Sequence, residues 1–166
     1  MKTIHEELRF DRPADQVFAL IATGAFQLEV IAHIGGHDGE LMEEDVTAGG
    51  GVRLVTRQRT GVELPGFAKK LIPANTTVVQ TYEWGPPAAD GTREGTWAAE
   101  VKGAPVSMSG PTALRTDGAG CLQLFEGQVK ASVPLVGGKL ESFALDNLRQ
   151  DLARTRDFAA ARLMSR

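Results

Sequence analysis

Two carboxylates occupy positions where a carboxylate is costly. Glu6 lies in "TIHEELRF", where Ile4, Leu8 and Phe10 share its side of an alternating pattern. Asp151 falls inside an apolar arc between Leu148, Thr155 and Phe158 when the C-terminal segment is wound at roughly 100° per residue. A charge facing apolar surroundings costs free energy unless it is paired. A carboxylate held in an apolar cavity with a displaced pKa can instead act as a general base, and an arginine such as Arg57 could serve as its electrostatic partner. Each carboxylate also has a plainer reading. Asp151 can bridge to Arg154 at the edge of the stripe, with Asn147 one turn back, and Glu6 can sit at a strand end open to water.

Other chemistry finds less support. His33 and His37 are four apart, a spacing that on a helix would turn two imidazoles to one side for zinc, but Gly35 and Gly36 between them break a helix. No third ligand stands at a recognisable spacing, so they read as loop histidines and no metal is expected. The run "VGGK" at a helix start suggests a phosphate loop, yet it lacks the first glycine, and Leu140 stands where a magnesium-binding Ser or Thr belongs. It reads as the turn that seats the following helix. Ser107, Ser109 and Ser132 have no Gly-x-Ser-x-Gly elbow around them, and Cys121 has no evident histidine partner. A covalent nucleophile is therefore not expected, and no residue pattern calls for a cofactor.

The element that must carry Asp151 is a long helix over about 138–165. Leu140, Ala144, Leu148, Leu152, Thr155, Ala159 and Leu163 fall on one side of it, and Lys139, Ser142, Asp146, Arg149, Gln150, Arg156 and Asp157 fall on the other. Glu141 places a carboxylate in its positive first turn. Upstream, a strand over 2–11 precedes two short helices in "DRPADQVFALIATGAFQLEVIA", and two strands flank Gly49, Gly50 and Gly51, a natural hairpin tip. The stretch "GVELPGFAKKLIPAN" then interrupts the strands as a helical turn or lid, with Phe67, Leu71 and Ile72 near each other and Lys69 and Lys70 turned away from them to water. Four regular strands follow over 76–84, 92–102, 106–116 and 121–133, joined by short Gly, Pro and Asp turns that favour antiparallel neighbours. The expected class is α+β: a seven-stranded curved antiparallel sheet around a long C-terminal helix, with two short helices after strand 1.

This order of elements resembles the helix-grip fold of the START and birch-pollen-allergen superfamily, which also holds polyketide cyclases and lipid-transfer proteins. The run "RPADQVFAL" is similar to that superfamily's approach to its first helix. "LPGFAKK", "VVQTYEW", "GAPVSMSG" and "GQVKASVPLVGGKLE" resemble a bacterial branch described as a domain of unknown function. The resemblance implies an apolar pocket between the long helix and the concave sheet. Trp97, Met108, Phe125 and Leu54 would then line it from the sheet, Ala144, Leu148, Asp151 and Leu152 from the helix, and Phe67 and Leu71 from the lid.

The 166 residues suffice for one domain over 1–166. With 18 basic against 21 acidic residues and no run of like charge, no nucleic-acid surface is marked. The one cysteine cannot close an internal disulfide, and "MKTIHEELRF" lacks the apolar run of a signal peptide, so the cytoplasm is the expected compartment. No apolar stretch is long enough to span a bilayer, leaving peripheral membrane contact at most. The expected state is a monomer or homodimer. Three functions fit these features: binding or transport of a small hydrophobic molecule such as a lipid, polyketide, sterol-like ring or quinone; a cyclase or dehydratase using a cavity carboxylate; and a protein-interaction module with a filled interior.

Overall fold

The structure is a computed structural model that describes residues 1–165. Alternation decides the first strand: β1 (Lys2–Phe10) buries Ile4, Leu8 and Phe10 on one face and sends His5, Glu7 and Arg9 outward. Pro13, with its fixed φ, precedes α1 (Ala14–Ile21), which buries Val17, Leu20 and Ile21. Thr23 then starts α2 (Gly24–His33) by accepting the Phe26 N–H on its hydroxyl at 3.3 Å. The absence of a side chain at Gly24 lets the helix end approach the next strand closely. A Cβ there would overlap Leu41 and the Glu44 carboxylate, and that carboxylate accepts the Gly24 N–H at 3.1 Å.

Six further strands follow: β2 (His37–Val46), β3 (Val52–Arg59), β4 (Thr77–Trp84), β5 (Arg93–Val101), β6 (Val106–Asp117) and β7 (Gly120–Ala131). All pair antiparallel in the order β1-β7-β6-β5-β4-β3-β2, so the first strand closes onto the last while β2 forms the other edge. The expected strand limits hold to within two residues. The tip between β2 and β3 turns on Gly50, whose positive φ of 90° glycine adopts without strain.

Helix α3 (Gly137–Met164) lies across β1 and β7. Leu140, Leu145, Leu152, Ala159 and Leu163 are buried along it, whereas Ala144, Leu148, Asp151 and Thr155 are only half-buried. Leu148, expected among the most buried positions, is not, because it faces a hollow rather than packed atoms. Glu141 is not in the first turn either. It is buried and accepts the Ala131 N–H at 3.0 Å, tying the start of the helix to the end of β7. Farther along, the Phe158 ring stacks on Phe26 and on His33, and Arg162 pairs with Glu29 at 2.5 Å, fastening α3 to α2. His33 is therefore a helix-end residue set against an aromatic ring, not a loop residue, and His37 opens β2. Among the described residues no single helix is long and apolar enough to cross a membrane.

Candidate functional site

Between α3, α2 and the concave face of the sheet lies a cavity of about 600 Å³, within the range usual for small-molecule sites. The alternation of the strands selects its floor. Inward positions of β4, β5, β6 and β7 contribute Tyr82, Trp97, Met108 and Phe125, and Trp97 and Tyr82 both meet the Phe125 ring edge-on, at 5.8 and 6.5 Å between centroids. Trp97 is held by its indole N–H, which donates to the Glu126 carbonyl at 2.9 Å. The roof is the inner side of α3, where Ala144, Leu148, Asp151 and Leu152 line the space, and Ile31 of α2 and Ile34 just after it close one end. Exposed lining residues gather at one mouth: Gly35 after α2, Gly61 to Glu63 after β3, and Gln150 and Arg154 on α3.

Of the residues anticipated as pocket lining, Trp97, Met108, Phe125, Ala144, Leu148, Asp151 and Leu152 are on the wall, and three are not. Leu54 points inward but is only 1% exposed, packed in the core. Phe67 is among the exposed large apolar residues, and Leu71 is half-buried away from the cavity. In the 61–75 excursion Leu64, Ala68, Leu71 and Ile72, at helical spacing, pack against the core, held by a tight turn in which the Ile72 N–H bonds the Ala68 carbonyl at 2.9 Å. That spacing turns Phe67 outward together with Lys69 and Lys70.

The charged candidates separate in the same way. Arg57 stands on the outer face of β3, paired with Glu40 at 2.5 Å, because Leu54, Thr56 and Gln58 take the inward positions. Glu6 shares the inner side of β1 but lies off the cavity, where its carboxylate accepts the Arg149 Nε–H at 2.6 Å. Asp151 alone of the three is on the wall. Burial pushes its carboxyl up to about 6, with the Arg154 charge opposing the rise. The expected bridge is not formed: Asp151 makes no ion pair with Arg154 or another cation among the described residues. Cys121 is fully buried, and burial raises its thiol to about 11, which leaves no thiolate for nucleophilic work.

Among the wall residues that escaped the sequence reading are four polar ones on the sheet: Gln58, Gln80, Tyr82 and Gln123. Each occupies an inward position of its strand, Gln58 in step with Leu54 and Thr56, Gln80 and Tyr82 with Val78 and Trp84, and Gln123 between Cys121 and Phe125. Polar side chains at core-facing positions were the available signal. Burial pushes the Tyr82 hydroxyl up to about 12, so it stays protonated and able to donate.

A seven-stranded antiparallel sheet closed over a long C-terminal helix, with two short helices after the first strand, is a helix-grip fold, the fold of the similar solved structures. The sequence profile of the family described as "Protein of unknown function (DUF2505)" matches residues 6–163, and the chain belongs to that family. Among solved structures it is similar to a protein from Thermus thermophilus, with 12% identity over 99% of this chain and 98% of the other and a TM-score of 0.64. It is also similar to the Zhui aromatase/cyclase from Streptomyces sp. R1128, with 18% identity over 98% and 95% of the two chains and a TM-score of 0.61. A third similar structure is a STAR-related lipid transfer protein from Xanthomonas axonopodis, with 16% identity, 95% and 85% coverage and a TM-score of 0.59. No protein of curated function matches the chain by sequence.

Proposed function

We propose that the chain binds a small, largely hydrophobic molecule in the cavity between α3 and the sheet, as a carrier or receptor. The observation that carries this reading is the cavity itself: about 600 Å³ floored by Trp97, Met108 and Phe125 and roofed by Leu148, with a mouth to solvent. A chain that needed only a stable core would fill such space, since protein interiors are otherwise close-packed. The similar structures include a lipid transfer protein and an aromatase/cyclase, both of which agree with a cavity-centred role. The test is native mass spectrometry of whatever copurifies, repeated on Ala144→Phe. The unmodified chain should carry a bound small molecule. The variant, whose new ring fills the roof side, should not, while its fold survives at a cost of about 1–3 kcal/mol, typical of overpacking. A chain that carries nothing and binds no hydrophobic probe would sink the reading.

One observation favours a second reading, an enzyme of cyclase or dehydratase type. Asp151 sits on the cavity wall with its carboxyl raised to about 6, close to the operating range of a general base. Glu6 and Arg57 leave this scheme because they lie off the cavity, each in its own ion pair. Asp151→Asn should then reduce conversion of the copurified molecule by roughly 10²-fold or more while leaving its affinity nearly unchanged. No conversion by the unmodified chain leaves the carrier reading in place, and conversion that survives in Asp151→Asn removes Asp151 as the base.

A further inference from the structure

We propose that the occupant of the cavity is an uncharged molecule carrying hydroxyl or carbonyl oxygens on a flat apolar frame, recognised by the amide and phenol groups of the sheet, rather than a chain with an anionic head. This deepens the ligand-binding reading and rests on it. Gln58, Gln80, Tyr82 and Gln123 reach the cavity from three strands. None of the four side chains hydrogen-bonds to protein among the described residues, whereas the neighbouring Trp97 and Thr112 side chains both donate to β7 carbonyls. Among the described residues, no side-chain nitrogen or oxygen sealed from the cavity and from solvent lacks a partner, so the unused capacity of these four opens onto the hollow. Polar groups left unpaired in an apolar enclosure carry a desolvation cost, and a ligand that supplies oxygens removes it. Each amide offers two donors and one acceptor, and the phenol offers one donor, which suits carbonyl and hydroxyl groups.

The charges on the wall exclude an anionic head inside. Arg154 is the one lining cation among the described residues, and it stands at the mouth with the carboxylates Glu63 and Asp151. Deeper in, no described residue could neutralise a buried carboxylate or phosphate. The edge-to-face set of Tyr82, Phe125 and Trp97 presents ring surface to the space, against which a planar frame packs well. The backbone also makes room for one of the amides. A Cβ at Gly36 would overlap Gln58 Oε1, the end of a flexible side chain, and would also press on the Cγ2 methyl of the buried, β-branched Ile31. Gly36→Ala should therefore displace the Gln58 amide and shift Ile31 slightly.

The inference is tested by calorimetric titration of the purified, ligand-stripped chain with three probes: 1,8-dihydroxyanthraquinone, anthracene as the same frame without oxygens, and palmitate at pH 8 as an anionic chain. The oxygenated probe should bind at least roughly tenfold more tightly than either of the others, the ratio that one net hydrogen bond supplies. Tyr82→Phe, Gln80→Leu and Gly36→Ala should each erode that preference by roughly 3- to 10-fold. Circular dichroism of each variant confirms that it is folded, and Tyr82→Phe removes only a hydroxyl. Equal or tighter binding of anthracene or palmitate, lost in Ala144→Phe, would overturn the inference and leave the cavity reading standing. A preference unmoved by all three wall variants would overturn it as well. Binding of none of the probes would overturn it too, and the cavity reading would then be decided by the copurified molecule.

Discussion

Asp151 differs from the other carboxylates in what surrounds it. Its side chain lines a half-enclosed apolar space, burial holds its carboxyl at about 6, and the Arg154 charge opposes that rise without an ion pair. The direction of its pH dependence follows. The folded value lies above the unfolded value of 3.8, so between about pH 4 and pH 6 the native chain binds more proton than the unfolded chain. Stability contributed by this group therefore falls as pH rises through that window, the reverse of a salt-bridged carboxylate. Asp151→Asn should stabilise the chain at pH 8 by on the order of 1 kcal/mol, after discounting for solvent at the mouth, and should change little at pH 3.5. Denaturant titration at the two pH values measures this, and equal effects at both would remove the burial argument. Glu6 provides the contrast: it is one-quarter exposed and paired with Arg149, so Glu6→Gln should cost no more than about 1 kcal/mol and leave ligand affinity unchanged.

At the scale of elements, α3 has two kinds of inward residue. Leu152 is buried against packed atoms, whereas Leu148 faces the cavity and is only half-buried. Leu152→Ala should cost about 2–5 kcal/mol, as truncation of a core leucine does, and Leu148→Ala should cost clearly less because it only widens a space already present. Instead, Leu148→Ala should show its main effect on ligand affinity. Equal losses of stability in unfolding experiments would mean that the roof of the cavity is packed. The segment after β3 divides in a similar way. Gly61 to Leu64 border the cavity and its mouth, while Phe67 points to water and Ala68 and Ile72 form the anchor. Amide exchange should therefore slow on ligand binding at 61–64 and stay unchanged at 66–67. Protection confined to 66–67 would restore Phe67 as the covering residue.

For the whole molecule, the cavity makes stability depend on its occupant. A ligand bound only by the folded chain adds stability through mass action, about 2.7 kcal/mol at a concentration 100 times its Kd. Stripping the copurified molecule should lower Tm, restoring it should raise Tm again, and Ala144→Phe should show neither change. A variant that responds like the unmodified chain would place the ligand elsewhere on the surface.

The class of architecture was legible because it depends on local periodicity. Alternation in "TIHEELRF", short Gly, Pro and Asp turns, and an apolar stripe near the C-terminus specify strands, antiparallel neighbours and one long helix whatever lies around them. The same alternation placed Trp97, Met108 and Phe125 on the inner face of the sheet. It could not separate an inner face that is packed from one that is hollow, since both want apolar residues. Leu54 and Leu148 thus looked equivalent, and only the distance between helix and sheet sent one into the core and left the other on the cavity wall. Arg57 and Glu6 were misplaced for a related reason: their partners, Glu40 on the neighbouring strand and Arg149 at a separation of 143 residues, are set by strand pairing and helix docking. The polar wall of Gln58, Gln80, Tyr82 and Gln123 was written at inward positions of the sequence. Its convergence on one space was decided by the tertiary structure alone, because β3, β4 and β7 face one another across the hollow only when the curved sheet closes over α3.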